Sequence, residues 1–260
     1  MEDRVKSLTG VRNFRDFGGY ASSYGGQVKT GLLYRSGHYG EATSEDIKTL
    51  NSYGIALQVD LRRPDERERM VGKWPSESVR VLSNDGGREQ DAPHHKFLQQ
   101  VEADAEKADN WMNDYYKAAP YKAHHQALFS SWFDGLASLG ETDAALVNCA
   151  AGKDRTGILC ALTHHVLGVS EEDIFADYEL TNIAAKVEDR IDDARKYFNH
   201  HIGKNYGNEV YKPFLGVRER YLRTALAEIN AEAGSVDAYL MNVLGITRET
   251  QDDIRARLIA

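Results

Sequence analysis

Cysteine, proline and long apolar runs are what this 260-residue chain has least of. Its two cysteines, Cys149 and Cys160, are too few for a disulfide framework and fit a reducing compartment. Five scattered prolines leave no Pro-rich linker, and neither an internal repeat nor a low-complexity tract is present. Nothing approaches the roughly 20 apolar residues of a membrane span, and the polar start MEDRVKSLTG lacks the apolar stretch of a signal peptide. The expected address is the cytoplasm, with export lacking a classical leader as the alternative. Basic residues are also in the minority, 32 against 40 acidic, and the net charge of -8 offers no general attraction to nucleic acid or an anionic membrane. Neither is expected as a partner, and any affinity for anions has to be local.

What is present suits one large α/β domain over residues 1–260, since 42% hydrophobic content at this length supports a sizeable core. From Asp16 to Ser36, two Gly-Gly pairs flank short aromatic and branched segments, the pattern of a hairpin whose last strand is LLYRS. Thr43 and Asp46 stand in capping-box spacing before a helix carrying Ile47, Leu50 and Tyr53, which Gly54 stops. IALQVDLR follows as a buried strand, and VRVLS (79–83) and AALVNC (144–149) read as further strands of a mostly parallel sheet. Ligands of such sheets bind beyond the carboxyl ends of the strands, so Arg35, Ser36, Asp60, Arg62 and Cys149 should meet on one rim. The acidic stretch 84–118 is either a lid or a solvated helical excursion. Tyr121–Gly140 reads as a core helix. After Gly168 the chain is mostly helical, with a second capping box at Ser170 and Asp173 and a further helix start near Thr247.

The segment NCAAGKDRTG (148–157) gathers groups suited to an anion around one of the two cysteines. Cys149 ends an apolar strand and TGILCALTHHVLG continues as a helix, so 150–155 form a tight turn whose amides can point inward as an anion nest. Ala150, Ala151, Gly152, Lys153, Asp154, Arg155 and Thr156 are therefore the candidate phosphate-binding residues. Gly152 permits the turn, Thr156 can satisfy free groups at the helix start, and the helix dipole adds partial positive charge. Arg155 offers a planar fork that grips two phosphate oxygens at once. A helix N-terminus and nearby cations lower a thiol from about 8.5 to roughly 3.5–7.5, which would make Cys149 a nucleophile at neutral pH. The alternative is an inert buried cysteine, and an arginine six residues after a cysteine is alone a weak signal. Glycine at the fourth position, a hydroxyl residue after the arginine, and a strand before with a helix after make coincidence rare. A nucleotide-binding P-loop is excluded, because Val147 occupies its first glycine position and Asp154 its hydroxyl position.

CAAGKDRTG resembles the signature loop of the cysteine-dependent protein tyrosine phosphatase superfamily, and more narrowly that of atypical bacterial tyrosine/lipid phosphatases with C-x-x-G-K-D-R-T. NFRDFGGY, LLYRSG, VDLRRPDERE, FADYELTN and VDAYLMNVLGI match that family in order along nearly the whole chain, while Asn148 stands where the family usually has histidine. The resemblance implies a three-layer α/β fold in which Cys149 attacks phosphorus in line and forms a phosphocysteine. Arg155 and the loop amides would hold the equatorial oxygens, water would release phosphate, and no metal or other cofactor is implied. For the leaving group's proton the resemblance points to Asp154, with Asp60 the competing carboxyl unless it forms an ion pair with a rim arginine. Lys153 either reaches further substrate phosphates, as in relatives accepting phosphoinositides, or is a solvated loop lysine.

Around this centre, Arg35 and Arg62 either shape the pocket or pair with Glu66 or Asp16. Trp111, Tyr115 and Tyr116 line a substrate entrance or pack a lid helix. Cys160 forms a protective disulfide with Cys149 or is a small core residue. Eight of the nine histidines stand in adjacent pairs without metal-ligand spacing and read as surface or interhelical residues. The expectation is a phosphate monoester hydrolase acting on phosphotyrosine proteins, with phosphoserine/threonine or phosphoinositides as possible further substrates. The alternatives are a phosphate-binding module without turnover, and sulfur or arsenate chemistry at a similar loop. The oligomeric state is not legible.

Overall fold

The computed structural model describes residues 4–89, 93–100 and 102–260. The Gly-rich N-terminal stretch folds back on itself as expected: β1 (Arg15–Asp16) pairs antiparallel with β2 (Leu33–Ser36), and an Ala21–Gln27 bridge closes the hairpin. Thr43 caps α1 (Ser44–Asn51) through the reciprocal bonds of a capping box with Asp46, whose carboxylate also takes the amides of Thr9 and Gly10 at 2.8 Å each. Next come β3 (Ile55–Asp60), α2 (Pro64–Arg69) with proline in its first turn, β4 (Arg80–Leu82), α3 (Pro93–Gln100), α4 (Ala105–Ala118) and α5 (Ala123–Ser138). They are followed by β5 (Ala144–Asn148) and α6 (Asp154–Val166). The remainder is helical: α7 (Glu171–Ala184), α8 (Val187–Ile202), α9 (Asn208–Leu215), α10 (Glu219–Ala233), α11 (Val236–Ala238) and α12 (Arg248–Leu258).

The strands form one sheet in the order β1-β2-β5-β3-β4, parallel except for β1. The last strand in sequence thus occupies the middle. Its residues alternate between two apolar clusters: Ala145 and Val147 face the larger one with α5 and α6, Ala144 and Leu146 the smaller one with Leu50 of α1. A sheet covered on both faces by helices is the expected three-layer arrangement. Ser36 and Asp60, the last residues of β2 and β3, both lie in register with Asn148. The chain that leaves β5 at Cys149 is therefore flanked by the ends of two parallel neighbours, which brings the three predicted segments to one rim.

The 84–118 stretch differs from a solvated excursion; residues 90–92 and 101 lie outside the described residues. Ala108, Met112 and Tyr116, spaced four apart on one face of α4, are buried in the main core, and α4 packs against α9 and α10. The charged residues between these positions hide that apolar face from a reading of composition. At Ser170 only half of the capping box forms. Its hydroxyl oxygen accepts the Asp173 amide at 3.1 Å, and its proton goes to the Asp173 carboxylate, which therefore does not reach back to the Ser170 amide. Thr247 caps α12 as expected. No helix of the described residues is long and apolar enough to cross a membrane.

Candidate active site

Carbonyl groups decide which way the 149–153 loop faces. Those of Ala150, Ala151 and Gly152 all turn outward: Ala150 accepts from the His38 amide (3.2 Å), Ala151 from Asn13 Nδ2 (3.3 Å), and Gly152 from Asn13 Nδ2 (2.7 Å) and Arg35 Nη2 (3.0 Å). Among the described residues nothing takes up the amide protons of Ala150, Ala151, Gly152 or Lys153. With the carbonyls anchored behind, these amides and the free first-turn amides of α6 are left without partners among the described residues. Gly152 is required twice over, since its φ is +68° and a Cβ there would lie 2.4 Å from the Ser36 carbonyl. Cys149 sits at the base of the loop, 1% exposed.

The bracing comes from residues whose partners the sequence did not reveal. Asp177, buried in α7, binds Arg35 Nη1 at 2.7 Å and Arg15 Nε at 3.2 Å; Arg15 in turn bonds the Asn13 side chain. Two routes thus run from one carboxylate to the Gly152 carbonyl. Burial alone would raise the Asp177 carboxyl, but the guanidinium groups of Arg15 and Arg35 outweigh it and hold the group well below its ordinary range. Arg35 accordingly pairs with neither Asp16 nor Glu66, and Arg62 does not either. Arg62 closes on Asp60 with Nε and Nη2, at 2.7 Å for the shortest contact. Asp60 also accepts from the Arg62 amide and from Asn148 Nδ2 (3.1 Å each), while Asn148 Oδ1 takes Gln58 Nε2 at 2.7 Å. Asp60 is thus an ion-pair partner under the sheet edge and does not line the pocket.

Arg155 is held from one side only. Glu66 takes its Nη1 and Nη2 at 2.6 and 2.8 Å, and the Leu61 carbonyl takes the second Nη1 proton at 2.8 Å. Of the five guanidinium protons, the Nε proton and one Nη2 proton stay free among the described residues, and these two form the side edge of the fork. Burial would raise the Glu66 carboxyl, but Arg155 and then Arg63 bring it down to about 2. Lys153 is buried, so it is not a solvated loop lysine. Its Nζ donates to the Gly216 and Pro213 carbonyls at the end of α9 (2.8 and 3.3 Å) and faces Asp154 Oδ1 at 3.2 Å. Two of its three protons thus go to backbone carbonyls, and the ion pair with Asp154 holds the ammonium group beside the loop. Asp154 also accepts the Tyr116 hydroxyl on Oδ1 at 2.8 Å, and Tyr178 donates to Tyr116 at 2.6 Å. The Thr156 hydroxyl caps nothing: it is buried without a hydrogen-bond partner among the described residues.

A cavity of about 130 Å³ opens above Cys149. Its floor is the loop, Asp154 and Arg155, and its walls include Trp111, Met112 and Tyr115 of α4, Phe214 of α9, and His94. Trp111 lies 6.1 Å from Tyr115, stacked, and 5.7 Å from Phe214, edge-on, so the walls are largely aromatic. His94 takes the interhelical of the two expected places, its ring against Phe198 of α8 and Phe214 of α9. Burial, then His95 and Lys153, push it down to about 3, and it lines the cavity as a neutral ring. His164 and His125 are buried, donating to the carbonyls of Phe17 and Ala119. Cys160 lies in the core as a free thiol that burial pushes up to about 12, far from thiolate character. Among the described residues no three His, Cys, Asp or Glu side chains are grouped to hold a metal ion.

A sequence profile of the tyrosine phosphatase family matches residues 6–260. A protein from Cupriavidus necator named as a candidate tyrosine-protein phosphatase is 31% identical over 91% of this chain and 82% of its own length. The triple specificity protein phosphatase PtpB of Mycobacterium tuberculosis is 26% identical over 98% of this chain and 99% of its own. A tyrosine-protein phosphatase of Nostoc commune is 25% identical over 89% and 75%. With the profile spanning nearly the whole chain, and relatives of that name aligned along most of it, this chain belongs to the tyrosine phosphatase family.

Proposed function

We propose that this chain hydrolyses phosphotyrosine in proteins through a phosphocysteine on Cys149. The phosphate would sit in the loop's amide nest with two equatorial oxygens on the free edge of Arg155, while the Cys149 sulfur lies beneath phosphorus, opposite the leaving oxygen. Asp154 carries the leaving group's proton and later takes one from the attacking water, because Asp60 has both oxygens bound by Arg62 and is not among the residues lining the cavity. The observation that carries the reading is the half-occupied guanidinium of Arg155: Glu66 and Leu61 fix its far edge and leave a two-proton fork at the cavity floor.

The aromatic walls favour a phenyl phosphate over other monoesters. Trp111, Tyr115 and Phe214 supply aromatic rings to the cavity lining, against which a tyrosine ring could pack. Phosphoserine/threonine and phosphoinositides lack that ring, so we rank them below phosphotyrosine even though PtpB's name carries three specificities. The test is turnover of a phosphotyrosine peptide against a phosphoserine peptide of the same sequence. We expect kcat/KM at least about tenfold higher for phosphotyrosine, with the advantage largely lost in Trp111→Ala. Equal rates on both peptides in the wild type contradict this substrate reading.

A further inference from the structure

The two oxygens of Asp154 are not equivalent. Oδ1 accepts the Tyr116 hydroxyl at 2.8 Å and faces Lys153 Nζ at 3.2 Å, while Oδ2 has no hydrogen-bond partner among the described residues. A carboxyl group whose one oxygen already accepts a hydroxyl hydrogen keeps its own proton on the other oxygen, because a proton on Oδ1 would face the phenol hydrogen. Tyr116 has a single proton to give. Its oxygen accepts from Tyr178 at 2.6 Å, which leaves that proton for Asp154 and fixes the direction of the chain. Both phenols are buried, Tyr116 at 0% and Tyr178 at 1% exposure, and burial pushes both hydroxyls well above their ordinary range, so both stay protonated donors. Gly157 makes room for this arrangement. A Cβ on that residue of α6 would lie 2.9 Å from two ring carbons of Tyr178.

We propose that Tyr116, backed by Tyr178, is a positioning residue for proton transfer, holding the proton of Asp154 on Oδ2 and stabilising the charge that appears as it leaves. The proposal rests on the assignment of Asp154 made above. In the first half-reaction the S–P bond forms, the ester P–O bond breaks, and the leaving oxygen takes the proton from Oδ2; the carboxylate charge spreads to Oδ1, where Tyr116 and Lys153 meet it. In the second, water attacks phosphorus and gives a proton to Oδ2, and the S–P bonding pair returns to Cys149.

Tyr116→Phe keeps a ring in the stack with Tyr221, 5.5 Å away, and removes only the hydroxyl. The expected result is a kcat/KM, which reports the first half-reaction, about tenfold lower on phenyl phosphate and within about threefold of wild type on an activated nitrophenyl ester. In an Asp154→Asn background the same substitution should change neither rate. Tyr178→Phe, which frees Tyr116 to turn its proton away, should show a smaller split of the same form, and it provides the test if Tyr116→Phe does not fold. Equal slowing of both esters, or a loss that persists in Asp154→Asn, overturns the positioning role. Asp154→Asn alone separates the two claims. If it slows both esters equally, the acid assignment falls and the positioning role with it; if it shows the split and neither tyrosine variant does, only the positioning role falls.

Discussion

At the residue scale, the site is built from charges that restrain one another. Glu66 is the clearest case, because it orients Arg155 and is itself depressed by it to about 2, from an ordinary value of 4.5. A carboxyl lowered on folding stabilises the native state fully above its unfolded value and loses that contribution as pH falls through the folded one. The pair should therefore support the fold above about pH 4.5 and fail progressively toward about pH 2. Thermal unfolding at several acid pH values checks this: wild type should lose Tm more steeply than Glu66→Gln between about pH 5 and pH 3, and parallel curves contradict it. That Cys149, Asp154 and Arg155 share one loop was legible in the sequence because they stand within one short segment between a strand and a helix. Glu66, Asn13 and Asp177 were not, since a charged residue's partner depends on which strands become neighbours. The only signals for them were the motifs NFRDFGGY, VDLRRPDERE and FADYELTN, which mark the residues without saying what they touch.

At the scale of elements, the decisive fact is that β5 enters the sheet between β2 and β3. Strand identities and the convergence of their ends could be read from apolar runs and from the parallel-sheet rule, but the strand order could not, because period-two patterning is indifferent to it. The order puts Arg35 behind the loop and makes α7 its outer support. Asp177→Asn should consequently leave two buried guanidinium groups short of their counter-charge and cost about 3–5 kcal/mol of stability. Below its Tm the variant should also bind phosphate more weakly, since both routes to the Gly152 carbonyl start at this carboxylate. Chemical denaturation together with phosphate titration measures the two effects. A variant as stable as wild type with unchanged phosphate affinity contradicts the bracing role. α4 shows the opposite limit of sequence reading: its buried face was masked by acidic neighbours, and only packing against α9 and α10 reveals it as the wall of the cavity.

At the scale of the whole molecule, a net charge of -8 surrounds the cavity floor that we propose holds the phosphate. The long-range field repels a phosphorylated substrate while the local amides and Arg155 attract it. Salt screens the former more strongly, because the Debye length is about 10 Å at 0.1 M and the local contacts are shorter and partly buried. Raising sodium chloride from low concentration to about 0.15 M should thus increase kcat/KM for a phosphopeptide by roughly twofold with little change in kcat; a decrease would show that exposed cations dominate the approach. The central claim, a covalent bond from the Cys149 sulfur to phosphorus, is tested most directly by mass spectrometry of reactions quenched within one turnover. With an activated aryl phosphate, the peptide containing Cys149 should carry one phosphoryl group during turnover and lose it once substrate is spent. Sustained turnover with that peptide unmodified at every quench time would contradict the account.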